Sequence, residues 1–280
     1  FQAEDGIRDV RTWLEFRRVL FRSIVADITG AYLLGYDIIE IISQSSIPVI
    51  DREKIRDSMR RLVGMEIIEE DASHINMQFL LDSTTLNPEK ILKRMGSIAI
   101  GMYDDASKGL IQDDRSNLET LSKRDAEVNR QYFLLVRLIR STLVDKKLAN
   151  VFNLENIDVL DYRVAANLLE NAGDSIVELA EFIIKSSITK EQSKKIYSVI
   201  KELNLIAEKS IDAFTKPDRL LAIEAISLHK EFEDKLNNLK ILIGEKKDIP
   251  IDFIDLIFIF ERIAQSWADV ADLVQPIYNK

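Results

Sequence analysis

The feature that most constrains this 280-residue chain is an internal repeat of helical apolar stripes. Leu92, Met95, Ala99, Met102, Ala106 and Leu110 recur at 3–4 spacing, the pattern of one buried helix face. A shift of 104 residues lays them on Ile196, Val199, Leu203, Ile206, Ser210 and Phe214. The same shift carries Val128, Tyr132 and Leu135 onto Phe232, Leu236 and Leu239. A shift of 91 carries Leu168-Leu169-Glu170 onto Ile259-Phe260-Glu261, and Ala180 onto Ala271. One stripe can recur by chance, but three in the same order define a duplicated three-helix unit. The periodicity predicts helices over about 88–112, 115–143, 156–186, 189–215, 218–243 and 251–278. Pro88, Pro217 and Pro250 stand near helix starts, and Thr189 with Gln192 spells a capping box.

Composition agrees with a mainly α protein. Nine Gly and five Pro are too few for the turns of a β-sandwich or barrel. With no Cys there are no disulfides, thiolate metal sites or cysteine nucleophiles, which fits a cytoplasmic setting. No apolar run approaches the ~18 residues of a membrane span, so no membrane insertion is expected. The net charge of −9 comes without a basic run, which argues against this chain holding DNA by itself.

Ahead of the repeat, residues 24–85 read as a small α/β unit. A helix over 24–34 ends at Gly35, and a strand follows over 36–42. A helix over 51–62 is expected to be capped by Asp51, and two strands over 64–69 and 74–80 flank a turn at Glu70–Ser73. Residues 1–23 carry five Arg and no Lys, unlike the remainder. The stretch FQAEDGIRDVRTWLEFRRVLFRS resembles translated sequencing-adapter read-through and is expected to be a non-native leader outside the core. The expected organisation is therefore 1–23 leader, 24–85 α/β lead-in, 86–187 first three-helix bundle and 188–280 second three-helix bundle.

The residues that invite chemistry are acidic. Glu170, Asp174, Glu178 and Glu181 fall within an arc of about 80° on one helix face. The second copy places Glu261, Gln265, Asp269 and Asp272 at the equivalent positions. The middle helices add Asp125 and Asn129, with His229 and Glu233 as their counterparts. Carboxylates in such numbers are hard oxygen ligands for Mg, Mn, Ca or Fe, and His229 would suit Fe or Zn. A solvated face of an acidic protein accounts for the same stripe. Neither His has a Glu three residues before it, so a ferritin-like di-iron enzyme is disfavoured. No phosphate-cradling or nucleophile-elbow motif occurs. A regulatory binding protein, a metal-dependent carboxylate enzyme in a helical bundle and a structural scaffold stay open on these residues.

The segment NLLENAGDSIVELAE (167–181) resembles the characteristic motif of the PhoU family. FERIAQSWADVADL (260–273) resembles it again, and RDAEVNRQYFLLVRLIR (124–140) is similar to the family's other motif. The resemblance spans about 88–278 and implies two tandem three-helix bundles. It implies a non-enzymatic, cytoplasmic, dimeric regulator of phosphate uptake and phosphate-responsive transcription. Its implied partners are a phosphate transporter or sensor protein. Some members hold multinuclear metal clusters. Carried over, Glu170, Asp174, Asp125 and Glu261 match the metal pattern, and with their neighbours and repeat equivalents the candidate metal positions are Asp125, Asn129, Glu170 and Asp174 in copy one, and His229, Glu233, Glu261 and Asp269 in copy two. Asn129 and Gln265 stand where the pattern expects acids, so each copy loses a carboxylate. Residues 58–95 resemble the lead-in of archaeal-type members, which open with an AbrB-like DNA-binding hairpin. Nothing before Ile24 supplies that hairpin, so DNA contact is expected only through a missing N-terminal domain.

Overall fold

The structure, a computed structural model, describes residues 13–17, 24–112, 115–186, 188–244 and 251–274. The protein is mainly α, with paired three-helix arrays behind a small α/β portion. The chain forms two compact units. One joins the residues up to Pro88 to Arg130–Arg163, and the other joins Glu89–Asn129 to Val164 onward.

The first unit holds β1 (Trp13–Arg17), α1 (Ile24–Leu33), β2 (Ile38–Ile42), α2 (Val49–Met59), β3 (Met65–Glu70) and β4 (His74–Phe79). The sheet order is β1-β2-β4-β3, with β4 antiparallel to both neighbours. Alternation puts Ile39, Ile41, Ile75 and Met77 in the core. A bulge between Ile67 and Glu69 disturbs the outermost strand, β3. The segment expected to be a leader contributes the backbone of β1, which pairs parallel to β2 from Trp13↔Ile38 to Arg17↔Ile42. The rest of 1–23 lies outside the described residues. Asp51 does not cap α2 as expected. The helix starts two residues earlier behind Pro48, and Asp51 sits in its first turn.

A buried arginine fixes α1 to the long helix α4 (Leu121–Thr142). Arg137 is 1% exposed. Its guanidinium donates to the carbonyls of Tyr32 and Tyr36 and to the Asp37 carboxylate. It lies 3.9 Å over the Phe79 ring. The C-terminal carbonyls of α1 thus find donors instead of water. Gly35 ends α1 at φ 90°, and a Cβ there would sit 2.6 Å from Ser141 Oγ.

The second unit takes α3 (Pro88–Ile111), the first part of α4, and the end of α6 (Asn156–Lys185). It also holds α7 (Lys190–Ile200), α8 (Leu203–Thr215), α9 (Arg219–Gly244) and α10 (Ile251–Asp272). The helices of both copies occur in the order the repeat demands. The stripe residues are inside: Leu92, Met95, Ala99, Met102 and Ala106 are fully buried, as are Ile196 and Leu236. Two features depart from the periodicity. A short helix α5 (Lys146–Phe152), capped by the Asp145 carboxylate and ended by Asn153 in the left-handed region, separates α4 from α6. The helix expected over 189–215 breaks at Lys201–Glu202.

Candidate acidic site on the long helices

Asp125 stands in the first turns of α4, where its side chain faces α6 at a gap left by Gly173. A Cβ on Gly173 would lie 2.8 Å from Asp125 Oδ1 and 3.6 Å from Val128. Glycine in mid-helix costs about 1 kcal/mol against alanine, so its presence signals a close approach. Asp125 Oδ2 accepts a hydrogen bond from Asn129 Nδ2 at 2.8 Å. Oδ1 is buried and has no hydrogen-bond partner. Burial first, then Asp174 and Glu170, push the Asp125 carboxyl up to about 6. Asp174 and Glu170 of α6 are therefore close enough to act on Asp125 through their charge.

The rest of the acidic stripe is neutralised differently. Glu178 is paired with Arg262 of α10, and Glu181 with Lys185 one turn along. A shallow groove at the end of α6 is lined by Glu178, Glu181, Phe182, Lys185 and Ser186, beyond the Asp125 neighbourhood. In the second copy Glu261 is paired with Lys240 of α9. Asp269 accepts from Gln265 Nε2 at 2.6 Å. Glu233 is exposed. His229 is buried, not the surface residue that a charged helix suggests. Burial and Asp269 raise the Asp272 carboxyl, while His229 opposes them. Lys240 and Arg262 escaped the sequence reading because both lie outside the acidic stripe. Gly173 was legible as an in-helix glycine between Asn171 and Asp174.

Among the described residues no group of three or more His, Asp or Glu is arranged to hold a metal ion. What the donor chemistry offers is narrower. One carboxylate oxygen at Asp125 is buried, unpartnered and crowded by two further acids, which is where a proton or a hard cation gains most. Among the described residues, no helix is long and apolar enough to cross a membrane.

This arrangement defines a helical protein whose acidic residues are largely ion-paired or hydrogen-bonded on the long helices. Residues 92–183 match the PhoU domain, a stretch that takes in most of α3, all of α4 and α5 and nearly all of α6 and so contains Asp125, Gly173 and Asp174. The fold is similar to that of PhoU from Pseudomonas aeruginosa, with a TM-score of 0.55 and 18% identity over 67% of this chain and 93% of that one. PhoU, the phosphate transport system regulatory protein from Streptococcus pneumoniae, matches with a TM-score of 0.49 and 17% identity, over 67% of this chain and 91% of that one. No curated protein matches the sequence.

Proposed function

We propose that the chain is a non-enzymatic regulator of phosphate uptake that works by contact with a transporter or sensor protein. The observation that carries this reading is the PhoU-domain match over 92–183, on the same helices that hold the acidic site. The pairing of Glu178 with Arg262 and of Glu261 with Lys240 supports it over the carboxylate-enzyme reading, in which these acids would turn to a substrate or metal instead. Expression in a host lacking its own PhoU-type gene tests the proposal. Uptake of labelled phosphate at high external phosphate should fall relative to the empty host. Unchanged uptake with folded, abundant protein would overturn it.

A cation at copy one is a second reading, favoured by the unpartnered Asp125 oxygen. Asp125 would anchor it, with Asp174 and Glu170 drawn in on binding because the three do not form a ready-made site, and the ion would supply charge neutralisation there. Copy two would be weaker, because Lys240 already neutralises Glu261. Titration with Mn(II) should give uptake that a Glu170→Gln, Asp174→Asn double variant loses. Equal uptake by both proteins would leave the acids as a solvated face.

A further inference from the structure

The break between α7 and α8 is built rather than accidental. The interrupted turn leaves the Ile200 carbonyl buried, and the hydroxyl of Tyr103 on α3 donates to it at 2.9 Å. Beside it, the Asn204 amide donates to the Asp104 carboxylate. The Tyr103 ring is itself held edge-on by Trp267 at 5.2 Å and by Phe260 at 6.3 Å, both from α10. The start of α8 is therefore tied to α3 through Asn204, and the last residue of α7 is held there through Tyr103. At the rim, Lys235 of α9 reaches Glu202 at 3.1 Å, an exposed pair of small worth.

The two helices on either side of the joint are unequal. Seven of the thirteen residues of α8 are buried, against three of the eleven in α7, namely Ser193, Ile196 and Ile200. The outer face of α7 carries exposed Lys190, Glu191, Lys194 and Lys195. Val199 of α7 lines a narrow cleft together with Leu228 and Phe232 of α9. The start of α7 is closed by its own capping box, Thr189 with Gln192, which satisfies two of its N-terminal donors within the segment itself. Few buried contacts on one side of a fixed joint are the marks of a segment that opens on its own.

We propose that α7 is a hinged arm that swings about Lys201–Glu202 while α8, α9 and α10 stay folded, with the Tyr103 hydroxyl as its latch. Opening widens the cleft beside Leu228 and Phe232. An eleven-residue helix lifted from its support is marginal in water, so each opening registers as amide exchange.

Hydrogen–deuterium exchange on the full chain tests this. Amides of 190–200 should exchange at least about tenfold faster than those of α8 and α10, the contrast expected of a sub-global opening. Tyr103→Phe keeps the ring and removes the latch. It should speed exchange in α7 by roughly fivefold to tenfold, the worth of one buried hydrogen bond, and leave α8 and α10 unchanged. Val199→Ala, which trims the contact of α7 with Leu228 and Phe232, should act in the same direction, and it serves if the tyrosine variant does not fold. Equal exchange in α7 and α8, or acceleration spread evenly over α3, α8 and α10, would overturn the proposal.

Discussion

Single residues in this chain carry costs that their neighbours must offset. Asp125 is the clearest. Its carboxyl stands at about 6 in the fold against an ordinary value of 3.8. The folded value is the higher, so protonation favours folding. That stabilisation is complete below about pH 4 and is lost as pH rises through about 6. Asp125→Asn should therefore raise the thermal midpoint at pH 7, by a free energy of about 1–2 kcal/mol after solvent screening. At pH 4 the gain should vanish, and thermal melts at the two values check both. Arg137 is the opposite case, a buried cation whose two terminal nitrogens serve two carbonyls and the Asp37 carboxylate while its Nε has no partner. Arg137→Lys keeps the charge but loses the fork that serves the Tyr32 and Tyr36 carbonyls and the stack on Phe79. It should cost about 2–3 kcal/mol in urea unfolding, where an exposed Arg→Lys change costs close to none.

Elements were legible to the degree that one face of each is apolar. The stripes beginning at Leu92 and Ile196 and those around Val128 and Phe232 lie at helical spacing, and burial follows them. Gly35 marked the end of α1 correctly, because only a residue tolerant of φ 90° ends a helix there next to Ser141. Gly35→Ala should accordingly destabilise by about 1–2 kcal/mol in chemical denaturation, from left-handed strain plus the contact. What the periodicity did not give was the break at Lys201–Glu202. The stripe from Ile196 through Leu203 to Ile206 runs on without a Gly or Pro, and the side chains that meet the break, Tyr103 and Asp104, lie about a hundred residues away. The short α5 was hidden likewise, since seven residues hold too few apolar positions to show a period. At the acidic site, the stripe named Glu170 and Asp174, but the ion pairs with Arg262 and Lys240 are tertiary facts.

For the molecule as a whole, charge decides what it can approach. With a net charge of −9 and the arginines Arg52, Arg56, Arg124 and Arg137 committed to internal pairs, duplex DNA should bind weakly. Fluorescence anisotropy at moderate salt should show no saturation below micromolar protein, and a tight, steeply salt-dependent isotherm would contradict this. The bulge in β3 bears on a different property, the behaviour of the chain when crowded. An outermost strand offers a row of free amides and carbonyls to any passing strand. Here the row is bent at Ile67–Glu69, and the strand carries Glu66 and Glu69 beside Glu70, whose charge is already met by Arg52 and Arg56. Two copies brought edge to edge would meet with misaligned bonds and opposed carboxylates, so concentrated solutions should stay clear where a flat, neutral edge would seed fibres.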